Sequence, residues 1–531
     1  MLDDASPSGK PRRVRLQRLV RGIASLANLA PPAAVLPANA ATAATMNPRA
    51  PLGITVMPEW FQCEGIEPVL DRVQSIGATA FVTSPYVLEA SSDGEGGREP
   101  PADGEAGRVR PLDRPLFGRT ELWVRTAPSF AHDLSRYAGL RYQPSPPSPL
   151  TLRHADLLDR VFAAAAARGL AVYLQVMAAS PPGYRVQFSA ARPEDQCLGP
   201  DLQPHAARVD RNASLGSGEV VAYAAALVAE LATRYPTVAG FRLDWPEYPP
   251  YDFRSALFDF NPAVTALMAE AGHDPVRVAR DVASWANGLR RAVQGAGRNA
   301  TAVGRSGADG RGAGSGPALD AALDAAGWSA LAGDDGPLVP LFAAKRRAAR
   351  ALLLAVRGAL DAVPGPRRLL EPQAFPPPFN RISGFPLGEL EGVADRVGIK
   401  LYTMHWPMLA RYWARDLLDG QAPEAALDAV TAAVALRFGL VDGQVDGATL
   451  HYPEPQQPHP AGRAAQLAKL RDAQATAGDV PVTAFVHSYG PLDDVVARFD
   501  IARQSGLPCW INRYGYLSDA KVAALGAVRQ G

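Results

Sequence analysis

Asp244 and Glu247 lie three residues apart in the run Asp244-Trp245-Pro246-Glu247-Tyr248. Cleaving an acetal such as a glycosidic bond needs two carboxyl groups. One protonates the leaving oxygen, and the other attacks carbon or activates water. The donor must hold its proton near neutrality, and desolvation by Trp245, Tyr248 and Tyr251 would raise its pKa in that direction. Other carboxylates could complete the pair with Glu247: Glu454 in His451-Tyr452-Pro453-Glu454, Glu59 in Met57-Pro58-Glu59-Trp60, and Glu371. Glu454 is the first choice. Glu59 and Glu371 read better as loop-fixing groups or hydroxyl ligands. Asp244 could equally hold Arg242 or a loop amide.

The same style of motif recurs along the chain, in Ser84-Pro85-Tyr86, Met404-His405-Trp406-Pro407, His487-Ser488-Tyr489-Gly490 and Asn512-Arg513-Tyr514-Gly515-Tyr516. Trp60, Trp245, Trp406 and Trp510 are four of the eight tryptophans, all within or beside these motifs. Flat amphipathic rings suit the apolar faces of sugars, although any one ring could simply plug a core. The expected platforms are Trp60, Trp245, Trp406 and Tyr248, with Tyr86 beside them. His405, His451, His487, Asn512 and Arg513 would contact hydroxyls. The three histidines have no HxH or HExxH spacing, so a hydroxyl-orienting role is expected and a metal is not.

Side chains this far apart in sequence need a scaffold that gathers them. From residue 52 the chain alternates strand and helix. Apolar runs at Leu52–Met57, Thr79–Thr83, Ala171–Met177, Val238–Leu243, Arg368–Gln373, Val397–Thr403, Ala448–Tyr452, Val482–His487 and Cys509–Arg513 read as strands. Helices are expected at Glu64–Ile76, Ala155–Arg168, Ser217–Arg234 and near 340–362, with Gly77 and Gly169 as stops. This rhythm implies an α/β fold, a (β/α)8 TIM barrel with long insertions. Nine strand candidates exceed the eight a barrel needs, so one lies outside it. The motifs above all follow strands, and in a barrel those ends meet at one mouth. A doubly wound sheet is the alternative, but no GxGxxG follows a strand and no Walker A sequence occurs, so no nucleotide cofactor is expected.

The run Gly240-Phe241-Arg242-Leu243-Asp244-Trp245-Pro246-Glu247-Tyr248-Pro249-Pro250-Tyr251 resembles the fourth strand and loop of barrel-type glycoside hydrolases and their uncharacterised relatives. That resemblance implies an acid/base Glu after strand four and a nucleophilic Glu after strand seven, and by analogy with such sites Tyr489 would lie against the nucleophile. Glu247 matches the first position. Glu454 matches the second only if Ala448–Tyr452 is strand seven; the end of Val482–His487 offers no carboxylate. Such hydrolases carry Asn directly before the acid/base Glu, whereas Pro246 stands here. At the level of architecture the resemblance spans roughly 50–531, and at the level of motif only short strand ends.

Two other chemistries compete. Lys400 is the only lysine on an expected strand, the sixth, and class I aldolases are barrels that form a Schiff base on a strand-six lysine. A non-catalytic carbohydrate-binding barrel would keep the rings without using the carboxylates.

Composition bounds the rest. The 531 residues carry 54 Lys plus Arg against 53 Asp plus Glu, a net charge of +1 that leaves no footprint for nucleic acid or an anionic membrane. No apolar run approaches the roughly 20 residues of a membrane helix. Three cysteines, far apart, exclude a disulfide framework. Residues 1–45 hold Arg12, Arg13, Arg15, Arg18 and Arg21 before an Ala/Leu/Pro stretch, and read as a start codon placed too far upstream or an export signal. Residues 46–531 then form one decorated barrel, with mobile insertions near 87–118 and 296–317. The expected partner is a small-molecule or oligosaccharide substrate. The expected location is cytoplasmic unless 1–45 directs export, and oligomeric state stays open.

Overall fold

All but one of the apolar runs read as strands are strands. The computed structural model describes residues 51–101, 110–184, 191–205, 212–304, 317–418 and 422–530. The strands in chain order are β1 (Leu52–Thr55), β2 (Ala80–Thr83), β3 (Tyr86–Ser91), β4 (Gly97–Glu99), β5 (Leu122–Pro128), β6 (Ala171–Met177), β7 (Gly240–Asp244), β8 (Leu369–Ala374), β9 (Val397–Leu401), β10 (Val482–His487) and β11 (Cys509–Asn512). Eight of them close an all-parallel barrel in the order β1-β11-β10-β9-β8-β7-β6-β2. The strands are short and nearly continuously buried, as expected where helices cover the outside and side chains fill the inside.

The covering helices follow their apolar spacing. α1 (Ile66–Ser75) turns Val69, Leu70 and Val73 inward, and α2 (Leu157–Ala167) buries Leu158, Val161 and Phe162. α3 (Gly218–Arg234) starts where the Ser217 hydroxyl accepts the Val220 N–H. A long excursion after β7 contains α4 (Pro275–Gly304) before α5 (Val339–Asp361) returns the chain to β8. Between β9 and β10 lie α6 (His405–Leu418), α7 (Glu424–Arg437) and α8 (Arg463–Ala477). α9 (Leu492–Gln504) and α10 (Asp519–Gln530) complete the ring.

The barrel interior holds both apolar and charged side chains. Ala80, Val82, Tyr173, Phe485 and Trp510 form one cluster. Beside it the Arg242 guanidinium lies 4.3 Å from the ring centroids of both Phe485 and Trp510, and 3.1 Å from the Glu371 carboxylate. Glycines make room for these groups. A Cβ on Gly53 would fall 2.3 Å from the Trp510 ring, and one on Gly398 3.0 Å from Arg242.

One expectation needs correction. Ala448–Tyr452 is the ninth candidate and is not a strand. The Asp446 carboxylate accepts the Ala448 N–H at 3.0 Å and winds Gly447–Thr449 into a 3-10 turn, so local side-chain bonding outweighs a brief apolar run. Within 87–118 the chain runs through most of β3 and through β4, both antiparallel to β5, while 102–109 lie outside the described residues. Near 296–317, α4 continues to Gly304, while 305–316 lie outside the described residues. Residues 1–45 also lie outside them.

Candidate active site

The loop after β7, the fourth barrel strand, is pinned on two sides. Trp245 takes a left-handed backbone, φ +52°, which costs a bulky residue about 1–2 kcal/mol. Asn212 secures that turn by donating its amide to the carbonyls of Trp245 and Glu247, each at 3.1 Å. Ser180 in turn donates to the Asn212 side-chain oxygen at 2.8 Å. On the far side the Tyr248 N–H donates to the Ser383 carbonyl at 2.9 Å.

So held, Glu247 is completely buried and points at the loop after β8. Its carboxylate accepts the Phe375 N–H at 3.0 and 3.2 Å and sits 2.7 Å from the Ser383 hydroxyl. Lys400 lies 3.7 Å from Glu247 Oε1 and 2.8 Å from Asp244 Oδ1, in ion-pair contact with both. Desolvation outweighs the Lys400 charge and the two donors, and pushes Glu247 up to about 7. Asp244 keeps a partly open side chain, 18% exposed against none for Glu247. Its second oxygen takes a long contact from Gln175 at 3.5 Å, and Gln175 is itself held by Gln373 at 3.0 Å.

The two contacts of 2.8 and 3.7 Å through one ammonium cap the separation of the bridging oxygens at about 6.5 Å. Lys400, at the sixth barrel strand, faces inward and lies over the Trp245 and Phe375 rings at 5.8 and 5.3 Å. It also lines a small cavity with Tyr402, His405 and Trp406.

Rings run continuously across the mouth from there. Tyr251 packs edge-on against Trp245, Phe375 and His405. Tyr402 packs against His405 and His487, and its hydroxyl accepts the Asn512 amide at 2.8 Å. The Arg110 guanidinium lies 5.3 to 5.7 Å from the rings of Tyr452, Tyr489 and Tyr516. Burial and this nearby positive charge hold His487 well below the ordinary histidine pKa. Its Nδ1 accepts the Tyr489 N–H at 3.0 Å, which leaves the remaining proton on Nε2.

The structure brings Asp244, Trp245, Glu247, His405, Trp406, His487, Tyr489 and Asn512 together at this end of the barrel, and it engages the other expected residues differently. The seventh barrel strand is β10, which ends on His487, so the condition that set Glu454 opposite Glu247 fails. Glu454 and His451 are half-buried in the connection between α7 and α8, which touches the mouth through Tyr452 on His405 and through the Pro453 carbonyl, acceptor of the Tyr489 hydroxyl at 2.9 Å. Tyr248 is no platform: it is fully buried and its hydroxyl accepts the Leu215 N–H at 3.1 Å. Trp60 is buried too, packed on the Tyr514 ring and Gly515. Glu59 accepts the Tyr86 hydroxyl at 2.8 Å, a loop-fixing contact that buries both. Glu371 serves Arg242, so Asp244 is not the partner of that arginine. Arg513, with φ +71°, lies 3.8 Å from Glu99.

Lys400 and Tyr402 share a face by strand alternation, the one signal that could have joined them to the site. Ser383, Asn212 and the Phe375 N–H lie in loops without periodicity and escaped the sequence entirely. Among the described residues, no group of three or more His, Cys, Asp or Glu could hold a metal ion, and no helix is long and apolar enough to cross a membrane.

The closed parallel barrel defines the class: an α/β (β/α)8 TIM barrel. No family model and no curated protein matches the chain. Among solved structures it is similar to the beta-galactosidase of the psychrophilic Marinomonas ef1, with a TM-score of 0.46 and 11% identity over 90% of this chain and 59% of that one. It is similar also to a beta-galactosidase from the Antarctic haloarchaeon Halorubrum lacusprofundi, with a TM-score of 0.40 and 13% identity over 90% and 57%. A third is the catalytic domain of beta-amylase from Paenibacillus polymyxa, at 0.41 and 10% over 91% and 98%. The chain spans less than two thirds of the length of either beta-galactosidase.

Proposed function

We propose that the barrel mouth hydrolyses glycosidic bonds of a carbohydrate, with Glu247 as proton donor and Asp244 as its partner carboxylate. The observation that carries this proposal is the pairing of both groups on one Lys400 ammonium at the end of the fourth barrel strand, with Glu247 pushed up to about 7. A carboxyl titrating there keeps a large protonated fraction at neutral pH, as a general acid requires. With Glu247 protonated, Lys400 and Asp244 balance each other, so the pair is stored without net charge.

Glu247 has no solvent exposure, so a leaving oxygen reaches it only after the side chains around it shift. Glu247 then protonates that oxygen as the glycosidic bond breaks. Asp244 bonds to the sugar carbon, and water later cleaves that ester with Glu247 as base. A cap of about 6.5 Å on the bridging oxygens favours retention over inversion, whose pairs stand roughly 6.5–9.5 Å apart. Trp245 would stack on the sugar ring, and His405 and Asn512 would contact hydroxyls.

One observation favours a second reading. Lys400 faces the cavity beside Asp244, which could take the proton when the amine condenses with a carbonyl and water leaves. A panel of nitrophenyl glycosides decides between them. Nitrophenol release that Lys400→Ala lowers by less than about tenfold, and Asp244→Asn abolishes, supports hydrolysis. Borohydride trapping of a ketone or aldehyde on Lys400, with no nitrophenol released, supports the imine. Sugar binding with neither result would leave a binding barrel.

A further inference from the structure

A second cavity lies on the same side of the barrel, away from Lys400. It measures about 320 Å³, near the lower end of small-molecule sites and sufficient for one sugar ring. Its walls come from the loop after β6, the segment after β7 and the middle of α4. The first two are connections that follow barrel strands, so the cavity belongs to the face that carries the mouth.

Its polar lining carries two guanidinium groups, those of Arg254 and Arg290, together with His205, Gln203, Asn287 and Asp201. Arg254 is exposed; its backbone N–H donates to Asp416 Oδ2 at 3.0 Å and its carbonyl accepts the Leu257 N–H at 3.0 Å. Arg290 is held in place: its Nε donates to the Asp416 carbonyl at 3.2 Å and its guanidinium lies 5.1 Å from the Phe253 ring. His205 lies 3.7 Å from Asp252. Asp252 also accepts the Ser255 N–H at 2.6 Å, and Asp416 accepts the Arg254 N–H, so both acids behind the cavity are already engaged. Asp201, the one carboxylate on the lining, accepts the Gln203 N–H at 3.1 Å. Leu257 and Phe258 supply an apolar wall.

We infer that this cavity binds the acidic unit of an anionic carbohydrate, with Arg254 and Arg290 on its carboxylate and the ring against Leu257 and Phe258. Two guanidinium groups set on separate elements suit a planar carboxylate, which accepts paired N–H donors. The choice of a sugar rests on the hydrolase proposal; the choice of an anion rests on the lining alone. The loop from Trp245 to Arg254 joins mouth and cavity, and Trp413 on α6 steadies it by donating to the Pro250 carbonyl at 3.0 Å. An acidic unit held here would orient the rest of a chain toward Asp244.

Calorimetry on the full chain tests this with glucuronate as probe and glucose as neutral control. The expected result is glucuronate binding that weakens with added salt, no glucose binding, and at least about a tenfold loss of glucuronate affinity in Arg254→Gln. Arg254 is exposed and its side chain ties no element down, so that variant should fold; an unchanged melting temperature checks it. Absence of glucuronate binding in the wild-type chain, equal binding of glucose, or undiminished affinity in Arg254→Gln would overturn the inference. Binding is read without turnover. A chain that takes glucuronate and hydrolyses nothing would keep this site and remove the hydrolase, and a chain that cleaves neutral aryl glycosides without taking glucuronate would do the reverse.

Discussion

Arg242 and Asp244 stand two residues apart on β7, and both side chains turn into the barrel toward an opposite charge. Arg242 meets Glu371 in a space closed by Phe485 and Trp510, with neither side chain more than 1% exposed. Asp244 meets Lys400 one layer higher, where its side chain keeps 18% exposure and a second carboxyl, Glu247, shares the ammonium. The lower pair is sealed and has one arrangement. The upper trio has a surplus acid, a strained turn at Trp245 and partial access, the features of a site in which charge is meant to move.

The largest effect should fall on the upper trio. Asp244→Asn should lower glycoside turnover by at least about 10⁴-fold, more than 5 kcal/mol on the barrier, with little change in melting temperature. If the melting temperature fell and turnover did not, Asp244 would belong with the structural pair. Arg242→Met should do the opposite, costing about 3–5 kcal/mol of stability by leaving Glu371 buried and uncompensated. Replacing Glu371 by Met as well should recover much of that loss, as measured by urea unfolding of both variants.

A smaller effect, set by Glu247, concerns pH. Its folded pKa, about 7, lies above the ordinary 4.5, so the native state binds the proton more tightly than the unfolded chain does. Its contribution is therefore complete below pH 4.5 and is lost as pH rises to about 7, by up to about 3 kcal/mol. Glu247→Gln should flatten that slope in unfolding free energy against pH, and an unaltered slope would assign it to other groups. The smallest expected effect is that of Ser383→Ala. Removing the hydroxyl 2.7 Å from Glu247 should move the alkaline limb of the rate profile upward by about one pH unit. A downward or absent shift would show that Glu247 does not set that limb.

The barrel was legible because its strands are short apolar runs separated by helices of clear 3.6 periodicity, as in α1 and α3. The candidate pair was legible in half. Glu247 and Asp244 lie on one strand end, where local sequence places them. Their assembly with Lys400 depends on which strands lie across the mouth from one another. Counting Ala448–Tyr452 as a strand moved the expected partner to Glu454, because five residues of mixed polarity cannot distinguish a strand from an Asp446-started turn. Tyr248 illustrates the other blind spot. An aromatic beside a catalytic candidate reads as a platform, yet its hydroxyl has a backbone donor deep in the core, and nothing in residue type distinguishes the two. Ser383 and Asn212 act through loop carbonyls and hydroxyls, for which no periodic signature exists.

The account turns on whether Asp244 bonds to a sugar carbon at the mouth. Incubation with activated 2-deoxy-2-fluoro glycosides, followed by peptide mass spectrometry, tests this directly. The account predicts one fluorosugar adduct per chain, carried on Asp244 and absent from Asp244→Asn. Hydrolysis of ordinary aryl glycosides without any adduct, or an adduct on any residue other than Asp244, would contradict it.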